Sequence, residues 1–150
     1  MAKKRVLAIA SGGGHWVQLQ RLRPALQGHD VAYATVSAMY RDDIPDGRFH
    51  VVPDATRWER WPLFKLALAV FWLLLRERPH VVISTGAAPG FFALVLGKLM
   101  GARTIWVDSM ANVEELSRSA HLVRRFADLW LTQWPHLASE DGPAYHGAVA

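Results

Sequence analysis

Short apolar runs rich in β-branched residues alternate with helical stretches, and this alternation limits the possible folds more than any other feature. It predicts strands over 5–10, 31–36, 49–52, 81–84, 104–107 and 129–132, and helices over 16–27, 61–76, 89–100 and 113–127. Such alternation is typical of a parallel sheet covered on both faces. We therefore predict an α/β fold: a single Rossmann-like domain over residues 1–150 with a parallel sheet of about six strands and a tail over 139–150.

Composition narrows the function classes. A chain of 150 residues suits one domain, and a content of 51% apolar and 20% charged residues excludes disorder. The net charge of +4 favours acidic partners: nucleic acid, anionic lipid or phosphorylated substrates. Of these, we expect no nucleic acid. The absence of cysteine excludes disulfides and thiolate chemistry. No secretory signal is visible, so we expect a cytoplasmic location.

A glycine-rich turn follows the first predicted strand, where ligands bind in open parallel sheets. Its sequence is Ser11-Gly12-Gly13-Gly14-His15, and a helix comes next. Glycines let the backbone approach a ligand, and a helix start offers unpaired N–H groups to an anion. Ser11, Gly13 and Gly14 are therefore candidate binding residues. A dinucleotide fingerprint would need glycine where Val17 stands, so no cofactor is expected, and a turn without a ligand stays an alternative.

His15 is the only titratable side chain in that turn. A neutral imidazole beside an anion site can take a proton from a sugar hydroxyl, which makes His15 a candidate catalytic base. A histidine that only shapes the turn through backbone hydrogen bonds is an equal alternative.

Two further turns follow the fourth and fifth predicted strands, at the same expected edge. The first contains Ser84, Thr85 and Gly86, and either binds substrate or only starts the next helix. The second contains the candidate catalytic residue Asp108 and the candidate binding residues Ser109 and Asn112. The alternative for the second turn is a helix cap by Asp108 or Ser109. No metal-ligand cluster is evident in the sequence.

The helical stretch 61–76 is unusually apolar. Residues 66–75 read LALAVFWLLL, although a helix that covers a sheet normally keeps one polar face. The stretch is shorter than the roughly 20 residues that span a bilayer. Basic and aromatic residues typical of membrane interfaces flank it: Arg57, Trp58, Arg60, Trp61, Lys65, Arg76 and Arg78. We predict membrane contact through Trp61, Leu66, Phe71, Trp72 and Leu75, with burial against another element or a partner subunit as the alternative.

Several motifs, in order, resemble one family. Ser11-x-Gly13-Gly14-His15-x-x-Gln18-Leu19 is similar to the N-terminal signature of bacterial exopolysaccharide glycosyltransferase subunits. These subunits are related to the membrane subunit of the eukaryotic transferase that adds the second N-acetylglucosamine to dolichyl diphosphate, the asparagine-linked glycosylation protein fourteen family. The resemblance extends to 79–86, to 107–113 with Leu116-Ser117, to Ala127-Asp128, to Gln133-Trp134-Pro135-x-Leu137, and to Tyr145-x-Gly147.

The resemblance implies the N-terminal, acceptor-binding half of a split GT-B glycosyltransferase on the cytoplasmic face of the membrane. Its expected partners are a donor-binding subunit, a polyprenyl-diphosphate-linked acceptor and the membrane surface. The implied reaction is transfer of a sugar from a UDP-sugar with inversion and without a metal. His15 would be the base and Asp108 its rival, while the turn at Gly13 and Gly14 would hold the lipid diphosphate.

Departures from the family pattern lie in the expected acceptor pocket. Asp108 stands where relatives usually carry Glu, and Asn112 stands where many carry Arg, so the acceptor sugar is expected to differ. Two functions from other classes remain open at this point. One is a non-catalytic membrane anchor that only recruits the donor-binding subunit, and the other is a free-standing nucleotide-binding oxidoreductase.

Overall fold

A single parallel sheet organises the chain. The computed structural model describes residues 3–55 and 59–149. Within them the sheet has seven strands in the order β3-β2-β1-β4-β5-β6-β7. They are β1 (Arg5–Ile9), β2 (Asp30–Thr35), β3 (Arg48–Val51), β4 (Val81–Ser84), β5 (Arg103–Val107), β6 (Leu129–Thr132) and β7 (Ala144–Tyr145). The predicted fold class is confirmed, but β7 forms inside the stretch that was predicted as a tail.

Helices connect the strands and cover the sheet unequally. They are α1 (Gly14–Arg21), α2 (Arg60–Glu77), α3 (Ala87–Leu99) and α4 (Arg118–Val123). Side chains of β1 alternate between the two faces, so that Leu7 and Ile9 pack in one core with α2, α3 and α4. Val6 and Ala8 pack on the other face with Trp16 and Leu19 of α1. Both faces are therefore buried at the central strand.

Two helices are shorter than predicted, each for a local reason. Helix α1 ends at Arg21, and a 3-10 turn over Arg23–Leu26 follows because Pro24 has no N–H to continue the helix. Helix α4 begins at Arg118, since the hydroxyl of Ser117 accepts a hydrogen bond from the Ala120 amide at 3.0 Å and caps it there. The predicted helix over 113–117 is a loop instead, exposed over 113–115 and half-buried at Leu116 and Ser117.

Candidate functional site

The three turns singled out from the sequence share one edge of the sheet. Strand β1 pairs in parallel with β4, where Ile9 lies opposite Ser84, and β4 pairs in parallel with β5, where Ser84 lies opposite Trp106. The turns at Gly13, Gly86 and Asp108 follow these strands directly. The predicted common edge is confirmed, and we call it the carboxyl edge.

The turns after β1 and β4 flank the point where the strand order reverses. From β1 the chain runs outward to β2 and β3, then returns and runs the other way through β4 to β7. Open parallel sheets bind ligands in the crevice at such a switch point. The glycine-rich turn and the Ser84–Gly86 turn therefore occupy the position where a ligand is expected.

His15 joins these two turns. Its Nδ1 lies 3.0 Å from the carbonyl oxygen of Thr85, and the Thr85 hydroxyl donates to the His15 carbonyl at 2.6 Å. A carbonyl only accepts, so Nδ1 carries the proton of the neutral ring and Nε2 keeps its lone pair. The half-buried imidazole thus has a fixed tautomer with a proton acceptor at Nε2.

Gly86 provides the space for that ring. A Cβ atom at position 86 would lie 2.5 Å from His15 Nδ1, and the backbone has a φ of 144°. Both facts require glycine, because no side chain fits the space and L-residues avoid this conformation. The next residue, Ala87, is a non-glycine residue with a φ of 66°, which stores backbone strain where α3 begins.

The glycine-rich turn has open space around two of its glycines, but one of its amides already has a hydrogen-bond partner. Gly13 and Gly14 are exposed, and a Cβ atom on either would meet nothing within 4 Å. However, the Gly13 amide donates to the Tyr40 hydroxyl at 2.8 Å. The amides available to an anion are therefore those of Gly14 and His15, which begin α1 and have no carbonyl partner within the helix.

Asp108 is a structural residue in this arrangement, which corrects its assignment as the rival base. The side chain is 2% exposed, and its carboxylate accepts four hydrogen bonds at 2.5–3.2 Å. The donors are the Trp106 indole, the Asn112 side chain, and the amide and hydroxyl of Ser117. With its oxygens so engaged, the carboxylate holds the loop between β5 and α4 and does not face a ligand.

Ser84 and Thr85 also lie inside the protein, so their expected direct contact with substrate is wrong. Both residues are fully buried. The Ser84 hydroxyl accepts from the Gly86 amide at 3.1 Å, and Thr85 bonds to His15 as described. They shape the turn that holds His15, while Ser11 and Asn112 are half-buried along the edge.

Two glutamines link the turns, although in the sequence they stand out only as members of the family motifs. Gln18 donates to the Ser109 hydroxyl at 3.3 Å and accepts from the Met110 amide at 3.1 Å. Gln133 donates to Gln18 Oε1 at 2.6 Å and to the Asp108 carbonyl at 2.9 Å. Both amides are buried, and they fix α1 against the loops after β5 and β6. Gln18 lies one helical turn after His15. A glutamine on a helix face that is otherwise buried was the feature of the sequence that could have indicated this role.

Helix α2 presents an apolar surface away from the sheet. Leu66 is fully buried against the sheet, so its predicted membrane contact is wrong. The opposite side exposes what we call the α2 stripe: Trp61, Phe64, Leu68, Phe71, Trp72 and Leu75. Arg57 and Trp58, predicted to flank it, lie outside the described residues. None of the helices within 3–55 and 59–149 is both long and apolar enough to cross a bilayer.

Solved structures share this architecture. Acinetobacter baumannii MurG matches with a TM-score of 0.78 at 12% identity, over 98% of this chain and 46% of that one. UDP-N-acetylglucosamine 2-epimerase from Rickettsia bellii matches with a TM-score of 0.74 at 11% identity, over 99% of this chain and 46% of that one. The chain spans about half the length of these proteins. Its fold is that of the N-terminal Rossmann-like domain of GT-B proteins.

Sequence comparison then identifies the family. The family model described as "Oligosaccharide biosynthesis protein Alg14 like" matches residues 60–149. The UDP-N-acetylglucosamine transferase subunit ALG14 of Eremothecium gossypii is 30% identical over an alignment of 169 positions, which covers 90% of this chain and 75% of that protein. The Yarrowia lipolytica subunit is 37% identical over 84 residues, 51% of this chain and 39% of that protein. The chain belongs to the Alg14-like family, which confirms the resemblance to the asparagine-linked glycosylation protein fourteen family. Both relatives are eukaryotic, and the resemblance to bacterial exopolysaccharide subunits stays a prediction.

Proposed function

We propose that this chain is the acceptor-binding, membrane-associating subunit of a heteromeric inverting glycosyltransferase. It moves a sugar from a UDP-sugar to a polyprenyl-diphosphate-linked saccharide, in exopolysaccharide or capsule synthesis. The names of the relatives make UDP-N-acetylglucosamine the first donor to test. The observation that carries the proposal is the His15 ring, held by Thr85 at the switch point with Nε2 available as a proton acceptor.

The proposed step uses that nitrogen. The acceptor hydroxyl oxygen attacks the anomeric carbon of the UDP-sugar, and the bond from that carbon to the phosphate oxygen breaks. The hydroxyl proton passes to His15 Nε2, and UDP leaves with the bonding electron pair. Because attack and departure occur on opposite faces of the sugar, the anomeric configuration inverts. General-base assistance of this kind typically contributes about 10²–10⁴ in rate.

The acceptor diphosphate has a separate place in the proposal. It lies against the amides of Gly14 and His15 at the start of α1, where the helix dipole favours negative charge. Ser11 and Asn112 are the proposed contacts to the rest of the acceptor. Gln18 and Gln133 act by keeping α1 at a fixed distance from the other turns.

A second polypeptide completes the cleft in this proposal. The fold corresponds to one of the two Rossmann-like domains of a GT-B enzyme, and the chain covers 46% of the MurG chain. A donor-binding subunit would supply the second half and face the carboxyl edge. The α2 stripe would lie on the cytoplasmic face of the membrane, since apolar side chains flanked by basic residues favour the interface.

Reconstitution with a donor-binding subunit tests the proposal. The complex is assayed with UDP-N-acetylglucosamine and a polyprenyl-diphosphate-linked N-acetylglucosamine, and this chain alone is assayed in parallel. We expect turnover only by the complex. Robust turnover by the isolated chain would contradict the split enzyme. Wild-type turnover by a complex that carries His15→Ala would favour the rival in which this chain only anchors its partner.

A further inference from the structure

A basic pocket lies at the opposite, amino edge of the sheet, and the proposed transferase chemistry does not use it. Its cavity volume is about 510 Å³, and we call it the amino-edge pocket. Five basic side chains line it: Lys4, Arg5, Arg78, His80 and Arg103. Among the described residues that line this pocket none is acidic, so it concentrates positive charge in one concave surface.

The charge in the pocket exceeds what the neighbouring helix ends require. Helices α2 and α3 both end there, at Glu77 and Leu99, and each helix C-terminus carries about half a negative charge. Four side chains that are charged at neutral pH therefore face about one compensating negative charge. Arg5 uses its Nε to bind the Arg78 carbonyl at 2.8 Å, which occupies one donor and removes no charge, so the pocket keeps a positive excess.

His80 lies in the same positively charged environment. Its Nδ1 accepts the Arg5 amide at 3.0 Å, which places the proton of the neutral ring on Nε2. Partial desolvation by neighbouring atoms, and then the positive charges of Arg5 and Lys4, lower the pKa of the exposed His80 ring. The neighbouring Asp30 is not among the residues that line the pocket, but its carboxylate, bound by Arg48 at 2.7 Å, also attracts Arg5 and offsets part of the positive charge.

Exposed apolar side chains lie in or next to the pocket lining at the ends of α2 and α3: Met100 lines the pocket, and Leu99 and Leu75 are sequence neighbours of the lining residues Met100 and Leu74. Leu99 and Met100 at the end of α3 are 72% and 45% exposed, and Leu75 of the α2 stripe is 38% exposed. A cationic pocket beside exposed apolar side chains matches a phosphate attached to an acyl chain better than it matches a soluble anion.

We propose that the amino-edge pocket binds the phosphate group of an anionic phospholipid headgroup, while Leu75, Leu99 and Met100 contact its acyl region. Together with the α2 stripe, this second contact would orient the sheet on the membrane. The proposal does not depend on transferase activity, because it concerns the edge of the sheet away from His15.

Vesicle binding tests the pocket. The probes are phosphatidylcholine vesicles with and without phosphatidylglycerol, and the readout is the partition coefficient by co-sedimentation. We expect wild type to prefer the anionic vesicles and Lys4→Gln/Arg103→Gln to lose about 30-fold, since each cation near an anionic surface contributes about fivefold. Both residues are exposed, so the variant is expected to fold, and its thermal midpoint is measured alongside.

A charge-matched control separates the pocket from net charge. Arg21→Gln/Arg23→Gln also removes two exposed cations, but on the α1 side of the sheet. Equal losses in the two double variants would overturn the proposal. Inorganic phosphate is the second probe. At millimolar concentration, we expect it to displace little of the protein from the anionic vesicles. Calorimetric binding of inorganic phosphate that the pocket variant loses, together with vesicle binding that this variant leaves unchanged, would assign the pocket to free phosphate and overturn the lipid assignment.

Discussion

The imidazole of His15 and the carbonyl of Thr85 lie 3.0 Å apart, although seventy positions separate them in the chain. This contact joins the turns after β1 and β4, the two strands where the order of the sheet reverses. The same contact fixes the ring tautomer, so the fold that brings the turns together also prepares Nε2 to accept a proton. This hydrogen bond therefore links the architecture of the sheet to the proposed chemistry.

Replacing His15 tests the proposed base. We expect His15→Ala to lower kcat of the reconstituted complex by about 10²–10⁴, because no other group would take the hydroxyl proton. The acceptor KM should change much less. Val17→Ala is the matched control, since Val17 is exposed on the same helix, and its kcat should match wild type. Activity of His15→Ala within a few-fold of wild type would remove His15 from the mechanism.

Gly86 should be essential for the position of His15. In Gly86→Ala the new methyl group would lie 2.5 Å from the imidazole, so the ring must leave the Thr85 carbonyl. We expect a large loss of kcat and a loss of stability above the roughly 1 kcal/mol that a positive φ alone costs. Gly101→Ala isolates that backbone cost, because Gly101 has a φ of 92° with open space around it. Equal effects on kcat in the two variants would contradict the steric argument.

Asp108 should affect stability more than chemistry. Asp108→Ala leaves buried donors on Trp106 and Ser117 without an acceptor, and we expect a loss of about 3 kcal/mol in the free energy of unfolding. Urea denaturation measures it, with Asp46→Ala at an exposed position as the control. If Asp108→Ala kept wild-type stability but lost turnover, Asp108 would return as the candidate base.

The fold was easier to predict from the sequence than the site. Strands and helices depend mainly on neighbouring residues, whereas the contacts within the site join residues that are far apart in the chain. Strands β4 and β6 have the predicted bounds, since each is a continuous apolar run with polar or helix-breaking neighbours. The common edge then follows from parallel pairing alone. Pro24 also indicated that α1 ends early. The prediction extended the helix to residue 27 because it followed the apolar periodicity instead.

The contacts within the site could not be predicted in this way. Nothing local indicates that the Tyr40 hydroxyl binds the Gly13 amide, or that four donors surround the Asp108 carboxylate. Burial of Ser84 and Thr85 likewise depends on how closely α3 packs on β4. A Cβ atom on Gly90 of α3 would lie 1.9 Å from the Ser84 hydroxyl oxygen. Such contacts arise only when distant segments pack.

Asp128 should make stability depend on pH in the acidic range. The ion pair with Lys98, aided by the Thr104 amide, lowers the pKa of Asp128 below its usual value. A carboxylate with a lowered folded-state pKa stabilises the protein above its unfolded pKa of about 3.9, and this contribution is lost as pH falls through the folded value.

Asp128→Asn should therefore lower the free energy of unfolding by about 1 kcal/mol at pH 7, a modest value because the ion pair is partly exposed to solvent. The difference from wild type should shrink as the pH falls below about 4. Lys98→Gln removes the main cause of the shift and should flatten the same part of the wild-type profile. A difference that stays constant from pH 7 to pH 3 would contradict the ion-pair explanation.

The α2 stripe should determine binding to neutral membranes. Trp72 is 69% exposed and Phe64 is 52% exposed, so replacing them with serine removes apolar surface without opening the core. Inserting one such side chain into the interface contributes about 1.5–3 kcal/mol when burial is complete, so partial insertion predicts about a tenfold loss of partition per substitution. Co-sedimentation with phosphatidylcholine vesicles measures it. Leu129→Ser, at an exposed position on β6, controls for lost apolar surface and should bind as wild type does. If Trp72→Ser and Phe64→Ser both bind vesicles like wild type, α2 faces a protein partner instead of lipid.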